Sequence, residues 1–394
     1  MVFERIKIPD NCKEAGFCAR SYFNSTMNLT QIKEGLRIFR HSLFLKAAGH
    51  DRYVGSAKSI CRKIVEDCWN NDKKYFMTST GNFAQFWTRD FGMCCNALVA
   101  LGYRLEAAET LDYALSRFRR AGRITTSITA GGKPYDFPCF ACDSLPFIIR
   151  SLKIVGSEKL IKRYRPFLKK EARRYFETAF DKRKSMIRSD RRFSSIKDYS
   201  KRKSSTYDNC MAAMLKNDLE ELGLENPFRN HDIKRQIRKE LWSGRYFYDD
   251  MRKLKNVYGD ANVFPFWTEV FRDRKMLDSC MREMRKAGLD RPFPLRYSSK
   301  RKVKGQSMAW QEVFAGDYER DTVWMHLGLC YIDVLMNMGR KKEAKKYLEQ
   351  YSGLVKKHRN FLEVFDSRGR PFRNLFYRSD AGMLWAGKLV DLTG

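Results

Sequence analysis

The stretch Asp90-Phe91-Gly92-Met93-Cys94-Cys95-Asn96-Ala97-Leu98-Val99-Ala100-Leu101-Gly102 opens on an acidic residue, stays apolar around nearly the whole helical circumference and stops at a glycine. An aspartate in a first turn meets free backbone N–H groups and the favourable end of the helix dipole, and glycine just past the last apolar position ends a helix. A helix that is apolar on most faces is buried. Arg104 to Arg120 follows with apolar and charged residues at helical spacing, so the chain returns as an amphipathic helix with one face in water. The unit is a hairpin of one buried and one half-exposed helix.

Asp143 to Val155, Gly156 and Ser157 to Phe180 repeat that unit, as do Asp321 to Met338, Gly339 and Arg340 to His358. The acidic starts are Asp90, Asp143, Asp208, Asp260, Asp321 and Asp380, at intervals of 53, 65, 52, 61 and 59 residues. Each interval holds two helices and a loop, the signature of a repeated supersecondary unit. Helices at about residues 31–50 and 57–71 are expected to supply the first hairpin, and a final helix from Asp380 to Leu392 to close the circle. The expected fold is therefore all-α, an (α/α)6 toroid with short β-hairpin loops at one face, such as Gly122 to Gly132. In a ring of hairpins the segments entering the inner helices gather at one mouth, so the six acidic starts should line a common funnel. No linker rich in Pro, Gly or Ser interrupts the chain, which predicts a single domain over 1–394, with 1–27 as an N-terminal extension.

A chain of 394 residues with 43% hydrophobic and 14% aromatic content buries a large core. Its 77 Lys and Arg against 46 Asp and Glu leave a net charge of +31, which raises the question of a polyanionic partner. The basic runs Lys159 to Arg192, Lys201 to Lys203, Lys300 to Lys304 and Arg340 to Lys346 are interleaved with acidic and apolar residues. That is the texture of solvated helix faces, and no recognised nucleic-acid-binding motif accompanies it. No specific nucleic-acid partner is expected, only salt-sensitive adhesion. Residues 1–7 carry no apolar export segment, and no stretch approaches the roughly 18 apolar residues of a membrane span, so a cytoplasmic location without a membrane partner is expected.

Eleven scattered cysteines read as small buried hydrophobes. Cys139-x-x-Cys142 lacks a second Cys or His pair, the five histidines form no cluster, and Gly131-Gly132-Lys133 is too short for a phosphate loop. No metal and no cofactor is expected. His326 is noted for lying on an inner helix.

Three blocks, Phe86-Trp87-Thr88-Arg89-Asp90-Phe91, Cys142-Asp143-Ser144 and Phe361-Leu362-Glu363-Val364-Phe365-Asp366, resemble in order and spacing those of the alkaline/neutral invertases. The likeness covers roughly residues 80–392 and extends to their six-hairpin relatives, the glucoamylase-like and debranching-type glucosidases. It implies a glycoside hydrolase, inverting and exo-acting on a small neutral saccharide or α-glucoside, with Asp143 as general acid and Glu363 as general base or nucleophile. Glycoside hydrolysis uses such a pair, about 6.5–9.5 Å apart in inverting sites. The glucoamylase-like relatives place a carboxyl after the third hairpin, which makes Asp198 the rival acid.

The resemblance further implies that Trp87, Arg89 and Asp90 form the sugar-binding wall, an indole face against a pyranose and opposed hydrogen bonds to its hydroxyls. Trp324 holds a similar inner-helix position. The sequence departs from the invertases at Tyr318-Glu319-Arg320-Asp321-Thr322-Val323-Trp324, where they carry a His-Asn-Gly-Gly block, and at Leu145, where they carry glycine. Glu319 changes the charge a substrate meets, and the substrate expected is accordingly other than sucrose. Each assignment has a plainer counterpart: Asp143 as a helix cap, Glu363 on a short strand facing water, Trp87 and Trp324 as core residues. The alternatives for the whole chain are a catalytically silent carbohydrate-binding toroid, or an epimerase or polysaccharide lyase on the same fold.

Overall fold

The computed structural model describes residues 29–300 and 316–394, so the expected extension 1–27 and most of the Lys300 to Lys304 run lie outside the described residues. Among the described residues thirteen helices run in chain order: α1 (Leu29–Ala48), α2 (Ala57–Asp67), α3 (Thr88–Ala100), α4 (Arg104–Arg120), α5 (Ser144–Val155), α6 (Glu158–Ala179) and α7 (Thr206–Glu221). Then come α8 (Ile233–Leu241), α9 (Gly259–Trp267), α10 (Arg274–Lys286), α11 (Met325–Asn337), α12 (Lys341–His358) and α13 (Ala386–Thr393).

The apolar helices pack in succession: α3 on α5, α5 on α7, α7 on α9, α9 on α11, α11 on α13, and α13 back on α3. The amphipathic helices α4, α6, α8, α10 and α12 each pack behind the inner helix that precedes them. In α11, Leu327, Leu329, Cys330 and Ile332 are all buried, as a helix enclosed on every side requires. A Cβ on Gly92 would lie 2.4 Å from the ring of Phe147, so glycine is what lets α3 lie this close to α5. Gly156 ends α5 in the left-handed region at φ 69°, its N–H returning to the Leu152 carbonyl. Charged groups tie the same inner layer: Arg150 and Lys153 of α5 reach Asp218 of α7 at 2.6 and 3.0 Å, and Lys388 of α13 reaches Asp333 of α11 at 2.9 Å.

Nine two-residue strands form small antiparallel ladders among the described residues. β1 (Trp69–Asn70) pairs with β2 (Tyr75–Phe76), and β3 (Phe86–Trp87) with β4 (Ser127–Ile128), which also pairs with β5 (Pro134–Tyr135). β6 (Phe180–Asp181) pairs with β7 (Met186–Ile187), and β8 (Val323–Trp324) with β9 (Val364–Phe365). β3 and β8 run straight into α3 and α11, so these ladders fix the backbone where two inner helices begin. The hairpin anticipated in Gly122 to Gly132 turns over Thr129 to Lys133, with its second strand beyond that stretch.

Two expectations are corrected. α1 and α2 do not make the first hairpin: α2 packs on α12 and α13, and α1 is bound to loops instead. Gln31 donates to the carbonyls of Asp136 and Pro138, His41 meets Asn82 at 2.7 Å, and Phe39 packs on Phe376. The last two acidic starts also stand apart from their helices. α11 begins at Met325 and α13 at Ala386, because the β8–β9 ladder occupies the intervening backbone in one case and Asp380 is drawn into a loop network in the other.

Candidate active site

The site residues singled out by sequence lie at the entries to inner helices or in the segments leading to them. Arg89 lies in the first turn of α3, Asp143 immediately precedes α5, Asp198 lies in the loop before α7, Glu319 in the segment before β8, and Glu363 immediately before β9. Arg89 joins three of these segments. Its Nε donates to Asp143 Oδ2 at 2.6 Å, and its Nη2 and Nη1 face Asp198 Oδ1 and Oδ2 at 3.3 and 3.4 Å. Tyr207 of α7 donates to the same Asp143 oxygen at 2.8 Å. Asp143 sits at the N-cap of α5 but makes no capping hydrogen bond, so the plain reading of it as a helix cap fails: its Oδ2 takes Arg89 and Tyr207, and its buried Oδ1 has no hydrogen-bond partner among the described residues. The Asp143 side chain has 0% of its surface exposed, against 13% for Asp198.

Asp198 is held from several directions. Ser194 Oγ donates to its Oδ1 at 2.5 Å, and Glu319 accepts the backbone N–H groups of Asp198 and Tyr199 at 2.8 and 2.9 Å. The adjoining Lys197 is buried and reaches Asp249 and Asp260 at 2.9 and 3.1 Å, while Arg202 reaches Asp260 at 3.0 Å. This buried ionic knot fixes the backbone on which Asp198 rides. Burial pushes the Asp198 carboxyl above its usual range, against the pull of Arg89. Burial and the nearby Asp198 charge push Glu319 up to about 8.

Glu363 is almost fully buried, which overturns the reading of a strand residue facing water. Tyr318 donates to its Oε1, and Tyr377 and the Asp380 N–H donate to its Oε2, the last at 3.1 Å. Three donors on two oxygens suit an anion, yet burial first and the Asp380 charge second push the carboxyl up to about 8. Asp380 takes Ser79 Oγ at 2.5 Å and the N–H groups of Asn82 and Phe83 at 2.8 and 3.2 Å. Of the six acidic starts, Asp143, Asp208, Asp260 and Asp380 are buried in such anchoring networks; Asp90 and Asp321 remain partly exposed.

The aromatic candidates divide. Trp87 packs edge to face with Phe83, Tyr135 and Phe137, and its buried Nε1 has no hydrogen-bond partner among the described residues. Trp324 spends its Nε1 on the Tyr318 carbonyl at 2.8 Å and Thr322 Oγ1 at 3.1 Å, pinning the turn that carries Glu319. Asp90 accepts from Trp385 Nε1 at 3.0 Å, and burial pushes it up to about 7. His326 is packed between Trp324 and Trp385 with Nε2 3.1 Å from the Tyr297 hydroxyl; burial lowers its pKa to about 3, holding it neutral.

Tyr207, Tyr318, Tyr377 and Ser194 were not marked by the sequence. Tyr318 adjoins Glu319 in a block whose departure from the invertase pattern was visible, a signal that something there had been rebuilt. Tyr377 lies fourteen residues past Glu363 in an irregular loop, and no local pattern points to it.

No family model matches the sequence, and no curated protein matches it. Solved structures do. A rhamnosidase from Klebsiella oxytoca with rhamnose bound superposes with a TM-score of 0.64 at 12% identity, over 85% of this chain and 62% of that one. A GH63 mannosylglycerate hydrolase from Thermus thermophilus in complex with Tris gives 0.58 at 10% identity, over 86% and 99%. A glycosidase in complex with glucose gives 0.60 at 11% identity, over 93% and 98%. The chain thus spans less than two thirds of the rhamnosidase and nearly all of the other two. At this identity the likeness speaks to fold alone: the chain shares the fold of these three structures.

Proposed function

We propose that this chain is a glycoside hydrolase acting on a small saccharide at the mouth of an (α/α)6 toroid, with Asp198 as proton donor and Glu363 as base. Hydrolysis requires one protonated carboxyl within reach of the leaving oxygen and a second, ionised one that activates water. The observation that carries the choice of acid is exposure. Asp143 and Asp198 share Arg89, but only Asp198 keeps surface open to a substrate. Asp143 then acts through Arg89 as a positioning residue. Burial pushes the Asp198 carboxyl upward, in the direction an acid needs.

Glu363 accepts from two phenols and a backbone N–H, an arrangement suited to holding the anion in one orientation toward a water. Trp87, whose buried indole N–H has no hydrogen-bond partner among the described residues, is the residue we assign to the sugar-binding wall. We take the reaction to invert the anomeric centre, with Glu363 acting on water rather than on the sugar. The rhamnose and glucose bound by structures of this fold support a small saccharide as the substrate.

The test is a screen of aryl glycosides and disaccharides, repeated with Asp198→Asn, Glu363→Gln and Asp143→Asn on the best substrate. Asp198→Asn and Glu363→Gln should abolish turnover, with Asp143→Asn retaining a measurable rate. An active Asp198→Asn beside a dead Asp143→Asn would return the acid role to Asp143. No turnover on any member of the screen would remove the hydrolase reading.

A further inference from the structure

α1 stands outside the packed layers, and its outward face is unusual for a protein surface. Eight large apolar side chains are exposed among the described residues, and five of them, Leu29, Ile32, Leu36, Leu43 and Phe44, lie on this one helix. A sixth, Leu375, adjoins it, its carbonyl accepting from Lys46 Nζ at 2.5 Å. At 3.6 residues per turn, Leu29, Ile32, Leu36 and Leu43 fall within about 60° of arc. Lys33 and Arg40 border that stripe on one side and Lys46 on the other, all exposed. Leu29 to Phe44 spans about 22 Å at 1.5 Å per residue. Single exposed apolar residues are ordinary, but six gathered in one patch mark a binding surface.

We propose that α1 docks the protein onto an anionic lipid surface, lying in the plane of the headgroups with its leucine stripe inserted. An apolar stripe flanked by cations on an amphipathic helix is the arrangement such surfaces select, and the net charge of +31 adds long-range attraction. The helix is not a membrane span: no helix among the described residues is long and apolar enough to cross a bilayer. The absence of a spanning segment leaves this mode open, and the expectation of no membrane partner does not extend to it. A nucleic acid would use the cations but gain nothing from the leucines. The inner side of α1 is held by the loops at Asn82, Gln85, Asp136 to Pro138 and Leu375 to Arg378. Tyr377, which donates to Glu363, belongs to the last of these, so docking through α1 brings the mouth of the candidate site to the membrane surface.

The experiment is co-sedimentation of the full chain with phosphatidylcholine vesicles, with and without phosphatidylserine, at near-physiological salt. Binding should be at least about tenfold tighter with the anionic lipid. The double variant Leu36→Glu and Phe44→Glu should lose about tenfold or more of it with an unchanged melting temperature, since both side chains are exposed. Wild type left in the supernatant overturns the proposal, and so does undiminished binding by the double variant, which assigns adhesion to the basic surface at large. Elution of the wild type as a dimer that the double variant dissolves assigns the stripe to a second copy of the chain. Tighter capture by RNA than by the anionic vesicles at the same salt, lost in the same variant, assigns it to nucleic acid.

Discussion

Arg89 donates to Asp143 over 2.6 Å in a setting where the Asp143 side chain has no surface exposed. Breaking a charge-assisted buried bond of this kind costs about 1.5–3 kcal/mol. Asp143→Asn should therefore unfold at measurably lower urea, although asparagine would have been a harmless replacement at a helix cap. Chemical denaturation checks this. A midpoint equal to that of the wild type would mean the Arg89 bond contributes nothing.

Asp198→Asn should reduce turnover by about 10²–10⁴, the range for loss of general acid catalysis. A proton donor is needed least when the leaving group departs easily, so this variant should recover most on a dinitrophenyl glycoside and least on an alkyl one. Equal losses on both substrates would count against the acid role.

The pH dependence follows from Glu363. Its carboxyl is pushed up to about 8, so at neutral pH most molecules hold a proton there and lack the base. kcat/KM should rise with pH through about 8 as Glu363 ionises. Tyr318 and Tyr377 oppose the upward push by donating to the anion, so Tyr318→Phe with Tyr377→Phe should move the rising limb to still higher pH. A pH–rate series on wild type and the double variant measures both, and a rising limb unmoved by loss of the phenols would separate them from the base.

Much of the fold was legible because burial leaves a periodic trace. The acidic residues from Asp90 to Asp260 marked the entries to four inner helices, Asp321 and Asp380 fell four and six residues short of two more, and the glycines at 102, 156 and 339 marked turns. What the sequence concealed was where each aspartate directs its oxygens. Asp143 and Asp380 look alike as starts, yet one turns to Arg89 and the other collects Ser79 and two amides from a loop some 300 residues earlier in the chain. Contacts at that separation have no local signature. α1 misled for a related reason: its pattern reads as an ordinary helix, and only the structure reveals that its leucines face outward.

With a substrate in hand, proton NMR of the first-formed sugar should show the anomer opposite to that of the scissile bond, since Glu363 is assigned to water rather than to the anomeric carbon. A product of unchanged configuration, or a glycosyl group trapped on Glu363, would make it a nucleophile instead.

The basic surface should bind heparin or RNA weakly, with affinity falling steeply as salt rises toward physiological strength. Retention of tight, sequence-selective binding at that salt would give the net charge of +31 a specific purpose.

The packing of α13 on both α2 and α3, secured by the Trp385 to Asp90 hydrogen bond, also has a consequence for synthesis. The helix that completes the inner layer leaves the ribosome after every helix it must join. Until Gly387 emerges, the side chains of Val65, Leu98 and Leu101 that it packs against lack this cover, so the nascent chain stays until then an open arc exposed to chaperones and to its own copies.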